Sequence, residues 1–158
     1  MLSLPKKTKY RKQQKGRSNR PPNSGGSSNL KNLQFGKYGI KGLEAGRIPG
    51  KIIEASRRVI TRTFKRGGKI WIRVFPDLPV TSKPLEVRMG KGKGGVSFWG
   101  CRVKKGQILF EMDGVSSKLA NQAALLVNKK LPISTLFVSL DLYGEKPCFQ
   151  LRGERKVS

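Results

Sequence analysis

Thirty-four lysines and arginines stand against nine acids and no histidine, a formal charge of +25. A chain charged this way repels itself when it condenses, so its compact state calls for a polyanion. Nucleic acid is the commonest such partner, and an anionic membrane is the second. The charge is also uneven. Residues 1–93 hold 24 basic and 4 acidic side chains, whereas residues 94–158 hold 10 and 5. The contact surface is therefore expected in the N-terminal two-thirds. With 36% hydrophobic residues in 158, the chain has material for one modest core plus tails.

The composition divides the chain into three. Residues 1–33 read as a basic, extended RNA-binding arm and linker. Eight Lys/Arg and no acid lie in the first twenty positions, and "RPPNSGGSSN" (20–29) resists regular structure. Lys6, Lys7, Lys9, Arg11, Lys12, Lys15 and Arg17 are the arm's candidate phosphate contacts, and Tyr10 among them offers a ring for a base. Residues 34–140 read as the core domain, and 141–158 as a C-terminal extension. The N-terminus lacks the apolar segment of a secretory signal. It is acid-free, as transit peptides are, but Pro5, Gln13 and Gln14 argue against a presequence helix. No apolar run approaches the length of a transmembrane helix.

Periodicity gives the elements. Residues 33–44 read as an irregular strand region. The spacing in "PGKIIEASRRVITRTFKRGG" (49–68) predicts a helix, with Pro49 in its first turn and Gly67-Gly68 as its stop. Ile52, Ser56, Val59, Ile60 and Thr63 fall on one side, and Lys51, Arg58, Arg62 and Lys65 on the other. That basic stripe is a rail for phosphates. "KIWIRVF" (69–75) alternates, with Ile70, Ile72 and Val74 inward and Lys69, Trp71, Arg73 and Phe75 outward. The outward set fits either an RNA-facing sheet or a second packed layer from which the cations snorkel. "PDLPVTSKP" (76–84) cannot be a central strand. "VSFWGCRV" and "QILFEM" around "KKG" signal a hairpin. Residues 116–130 predict a second helix, capped by Ser116, with Leu119, Ala123 and Leu126 as its apolar side; residues 134–140 predict a last strand. The class is α+β: two helices packed on one mixed, mostly antiparallel sheet.

"EVRMGKGKGGVSFWG" (86–100) contains G-x-G-x-x-G at Gly90, Gly92 and Gly95. A dinucleotide site needs a helix opening where this motif ends. Here a strand follows, so a nucleotide reading fails. A backbone nearly free of side chains approaches bulky surfaces closely, and Arg88, Lys91 and Lys93 add charge along it. That describes a cationic finger. Catalysis has little support: histidine is absent, Cys101 and Cys148 are far apart, and the acids are scattered. Neither cofactor nor metal is expected. A membrane-surface reading would want Trp, Phe or Leu opposite the helix cations; Ile, Val, Ser and Thr stand there instead.

At "IEASRRVITR" (53–62), "GGKIWIRVFPDLPVTSKPLEVRMGKGKGG" (67–95), "GQILFEMDGVS" (106–116) and "KLPISTLFV" (130–138) the chain resembles the bacterial-type large-subunit ribosomal protein sixteen family. "PKKTKYRKQQKGR" (5–17) is similar to that family's basic N-terminus. The resemblance implies a non-enzymatic ribosomal component with a two-layer α/β sandwich and a hammerhead-like β element. It implies large-subunit ribosomal RNA, A-site tRNA near the peptidyl transferase centre and neighbouring large-subunit proteins as partners. It implies neither a membrane nor a homo-oligomer. Carried over, Arg88, Gly90, Lys91, Gly92, Lys93 and Gly94 match the tRNA-proximal loop. Arg57, Arg58 and Arg62 match its basic helix; with Lys51, Lys65 and Arg66 they make up the helix's expected RNA-binding set, and Lys69 and Arg73 lie beyond it. Residues 20–32 and 141–158 depart from a bacterial length, and "FGKYGIK" and "GQILFEMDGVS" look like mitochondrial versions. The expected place is the mitochondrial matrix, in the large subunit of that ribosome, with bacterial cytoplasm or plastid stroma as the alternative. The competing function is an RNA-binding or RNA-remodelling protein outside the ribosome.

Overall fold

The computed structural model describes residues 4–16 and 32–140. Arg17, the linker from 20 to 29, Cys148 and the 141–158 extension lie outside the described residues. Among the described residues seven strands and two helices follow in order: β1 (Tyr38–Gly42), β2 (Gly46–Pro49), α1 (Gly50–Thr63), β3 (Lys69–Ile72), β4 (Leu78–Ser82), β5 (Gly95–Val103), β6 (Ile108–Asp113), α2 (Ser117–Asn128) and β7 (Thr135–Ser139).

The α+β class is as expected, but the sheet is two sheets. One has the order β3-β6-β1-β7 and the other β2-β5-β4, and every pairing is antiparallel. The expected hairpin across "KKG" is thus overturned. β5 and β6 belong to different sheets, and Lys104–Gln107 carries the chain between them. The Gly42 amide donates to the Gln107 carbonyl at 2.8 Å, and the Gly106 amide to the Gly42 carbonyl at 2.7 Å, so the turn is anchored to β1. The hairpin is instead β4–β5, with residues 83–94 as its loop. β4 came from the proline-punctuated stretch. It is an edge strand, where Pro79 lacks an N–H that no neighbour needs. This second sheet and its long loop supply the hammerhead-like element.

Both helices contribute to one core with the four-stranded sheet. Ile53, Ile60 and Phe64 from the α1 segment meet Ala120, Ala123, Ala124 and Val127 of α2, and Ile40, Phe110 and Met112 of the sheet. The buried face of α2 differs from the expected one: Leu126 is 43% exposed. Apolar residues ring this helix, and the i, i+3, i+4, i+7 set starting at Ala120 wins because three small residues let α1 approach. On α1, Ile53 joins Ser56 and Ile60 at the centre of the buried face. The Ser56 hydroxyl is buried without a hydrogen-bond partner among the described residues.

The other face of the four-stranded sheet is organised by Glu111 on β6, which is wholly buried. Its Oε2 accepts the amides of Gln34 at 3.1 Å, Phe35 at 2.6 Å and Gly36 at 3.0 Å. Its Oε1 accepts the Arg73 guanidinium. One carboxylate therefore clamps the lead-in to β1 and the residue after β3. Removing it would leave a buried cation and three unpaired amides. Glu111→Ala should cost about 3–5 kcal/mol, read as a lower urea midpoint. Ser56→Ala deletes only an orphan hydroxyl and should leave the midpoint unchanged or raised.

Candidate nucleic-acid interface

The basic stripe of α1 is where the periodicity put it: Lys51, Arg58, Arg62 and Lys65 are all exposed. Its last two turns form an open concavity of about 430 Å³ lined by Arg57, Arg58, Thr61, Arg62, Lys65 and Arg66. Five cations thus share one hollow, with no acid in its wall among the described residues. The helix does not end at the glycine pair. The Arg66 amide donates to the Thr61 carbonyl at 3.3 Å, and the Lys65 amide to the Arg62 carbonyl at 3.1 Å, a left-handed Schellman closure. That closure usually takes glycine. Here Lys65 has φ 48° and Arg66 φ 68°, a cost of about 1 kcal/mol or more each. Gly68 serves close packing instead, since a Cβ there would lie 2.8 Å from Val115.

Glu54, one turn earlier, is the only acid on α1. It accepts Arg57 at 3.0 and 2.8 Å and Arg58 at 3.2 Å. The hydrogen bonds from Arg57, above all, hold its carboxyl down at about 2 despite partial burial. The acid ties two of the hollow's arginines and leaves Arg62, Lys65 and Arg66 uncompensated by it.

The glycine loop tops the β4–β5 hairpin. Every residue from Lys83 to Lys93 is exposed, Leu85 and Met89 almost completely. Gly90, Lys91 and Gly92 all take positive φ, at 91°, 51° and 84°. No atom lies within 4 Å of where a Cβ would stand on Gly90 or Gly92. Handedness, not crowding within the chain, therefore demands glycine there. Gly94 leads into β5 beside Ser82.

The arm lies against the base of this hairpin. Lys12 donates to the Lys93 carbonyl at 2.8 Å, and Lys93 returns a bond to the Gln13 carbonyl at 2.6 Å. Arg102 reaches the Gln14 carbonyl at 3.2 Å, and Arg47 reaches the carbonyls of Gly16 and Lys15. Arg47 and Arg102 are direct cross-strand partners on β2 and β5. Like charges opposite one another are unfavourable, and the arm's carbonyls offset this. Lys6, Lys7, Lys9, Arg11 and Lys15 remain exposed, with the Lys9 ammonium 5.6 Å from the Tyr10 ring.

Arm and finger are thus joined, while the α1 hollow is a separate site. Lys69 is exposed at the start of β3. Arg73 is not: its side chain is 11% exposed and engaged by Glu111. The sequence reading missed Arg47, Arg102 and Lys83, whose side chains hold the arm and the Gly90 carbonyl. Each is an isolated cation in its own stretch, so only pairing across β2–β5 reveals the first two. Cys101 is free and buried, and burial pushes its thiol up to about 11, where it stays protonated. Among the described residues no His/Cys/Asp/Glu group could hold a metal, and no helix is long and apolar enough to cross a membrane.

Fold and surface define a small cationic α+β protein whose excess charge is gathered on one helix, one hairpin and one arm. Comparison makes this specific. The profile of the family described as Ribosomal protein L16p/L10e matches residues 5–138. The "Large ribosomal subunit protein uL16m" of Prototheca wickerhamii is 59% identical over 134 residues, 85% of this chain and 96% of that one. "Large ribosomal subunit protein uL16" of Chelativorans sp. (strain BNC1) is 55% identical over 134 residues, 85% of this chain and 94% of that one. The chain belongs to the ribosomal protein L16p/L10e family and is a constituent of the large ribosomal subunit.

Two outcomes follow from the helix end. Lys65→Gly should relieve the left-handed strain and raise stability by about 1 kcal/mol, while weakening RNA binding through the lost charge. Thermal melts and filter binding on one preparation check both signs. Glu54 has a folded pKa of about 2 against an ordinary 4.5. Its stabilisation is complete above the ordinary value and is lost as pH falls through the folded one. Glu54→Gln should therefore be less stable at neutral pH and flatter in acid, the two unfolding curves converging near pH 2.

Proposed function

We propose that the chain binds large-subunit ribosomal RNA through α1 and the arm, and so carries the 83–94 finger to A-site tRNA near the peptidyl transferase centre. The role is structural, not enzymatic, and the chain enters the particle as one copy beside other large-subunit proteins. The relative from Prototheca wickerhamii bears the mitochondrial suffix in its name, which supports a place in the mitochondrial matrix.

The observation that carries the RNA reading is the α1 hollow. Five cations converge there, two of them on left-handed residues that glycine would fill with less strain. Strain kept at cationic positions fits a ligand that rewards the charge. A phosphate backbone is the matching chemistry, because it neutralises several cations at once.

Arg58→Ala with Arg62→Ala should lower affinity for large-subunit RNA. It should also flatten the plot of log affinity against log salt by about one unit per lost phosphate contact. An unchanged slope would mean that both side chains face solvent in the particle.

For the finger, Arg88 and Lys91 make the cleaner test pair, because Lys93 also holds the arm. Arg88→Ala with Lys91→Ala should leave subunit assembly intact, since exposed loop changes cost little core energy. A-site tRNA binding to the purified mutant ribosomes should fall. Parental binding would reduce the loop to a connector.

A further inference from the structure

The outer face of the four-stranded sheet, opposite the helices, carries a feature that neither α1 nor the finger uses. Phe35 lies over it. Its ring stacks on Trp71 with centroids 6.2 Å apart and planes 21° from parallel. The Arg73 guanidinium carbon is 5.2 Å from the same ring's centroid. Trp71 and Arg73 are alternate residues of one extended segment, so both rise from the sheet beneath the ring. Yet Phe35 is 55% exposed. More than half of the residue's surface is thus left open to solvent.

The placement is rigid. The Phe35 amide and both neighbouring amides end on one oxygen of Glu111, and the other oxygen holds Arg73. A buried carboxylate thus fixes both the ring and the group beneath it. A cover for the Glu111–Arg73 pair would need bulk only. An aromatic ring fixed over the sheet on a residue more than half exposed is a preorganised surface for another flat ring. Phe75, two residues past Arg73, is 44% exposed. Lys37 and Lys69, exposed two residues after Phe35 and two before Trp71, add positive charge. Asp113, opposite Lys69 in register, has one oxygen taken by the Gly114 amide.

We infer that Phe35, backed by Trp71 and Arg73, is a stacking site for one unpaired nucleobase of RNA. The charge of the chain selects a polyanion, and among polyanions nucleic acid alone brings flat rings. This rests on the RNA-binding reading above, but uses a surface distinct from the α1 hollow. The contact would be blind to base identity, because every base has a π face.

The test uses the full chain carrying Trp99→Phe, which leaves Trp71 as the sole tryptophan reporter. Binding of a short single-stranded oligouridylate is compared with that of an abasic strand bearing the same number of phosphates. The parent should prefer the strand with bases by on the order of tenfold, and that strand alone should quench Trp71 fluorescence. Phe35→Leu keeps an apolar side chain and all three amide bonds to Glu111 but lacks a π face. It should drop the oligouridylate to the abasic level and leave abasic affinity and salt slope unchanged. Phe35→Tyr should restore the preference. Equal losses for both strands would overturn the proposal, because the ring would then only position cations. An unchanged preference in Phe35→Leu would also overturn it, and would hand this face to a protein neighbour. If the parent bound neither strand, the RNA-binding reading itself would fail first.

Discussion

The buried carboxylate of Glu111 is the contact on which the outer face of the four-stranded sheet depends. It joins β6 to a lead-in more than seventy residues away in sequence and to Arg73, thirty-eight residues away. Burying an acid costs several kcal/mol unless its lone pairs are taken. Here three amides and a guanidinium take them, so the charge becomes a specific joint. The joint sets where the chain enters β1, how Arg73 is turned, and how Phe35 is presented. An apolar side chain at 111 could fill the volume but could not gather three successive amides.

Glu54 does on α1 what Glu111 does in the sheet, at the surface instead of the interior. Each acid takes arginine, and each aligns a group that acts elsewhere. Acids so few in number leave most cations without an internal counter-charge. The resulting repulsion is relieved by anything that brings phosphates to those cations. Binding to the folded state alone then adds directly to its stability. For this chain, assembly and folding are expected to be one thermodynamic problem.

Both helices, β3 and the exposed basic stripe of α1 were legible because each follows a local period, and the α+β class followed from the order of elements. The break into two sheets was not. "KKG" between two apolar runs has the local chemistry of a hairpin, and only the pairing of Gly106 with Gly42 shows the turn belongs to β1. β4 was obscured by its prolines, which an edge strand tolerates. The α2 face was misjudged because leucine outweighs alanine in hydropathy, whereas close helix contact favours the smaller residue. In the candidate site, Lys91 and the glycines could be found from composition alone. The Arg47–Arg102 pairing and the engagement of Arg73 arise only from register across strands. The left-handed turn at Lys65 and Arg66 was hidden by glycines that follow it and serve packing.

The arm's attachment has a consequence for how this protein can change over time. Lys93, Arg102 and Arg47 grip the carbonyls of residues 13–16, not their side chains. Main-chain oxygens are the same whatever residue bears them. Apart from Lys12, whose ammonium holds the Lys93 carbonyl, and Gly16, at φ 61°, the arm's letters can therefore drift to suit another RNA surface while its route across the hairpin base persists. The burden of heredity shifts to two cations on the second sheet and one at the foot of its loop, where an acid would both repel the carbonyls and cancel the grip.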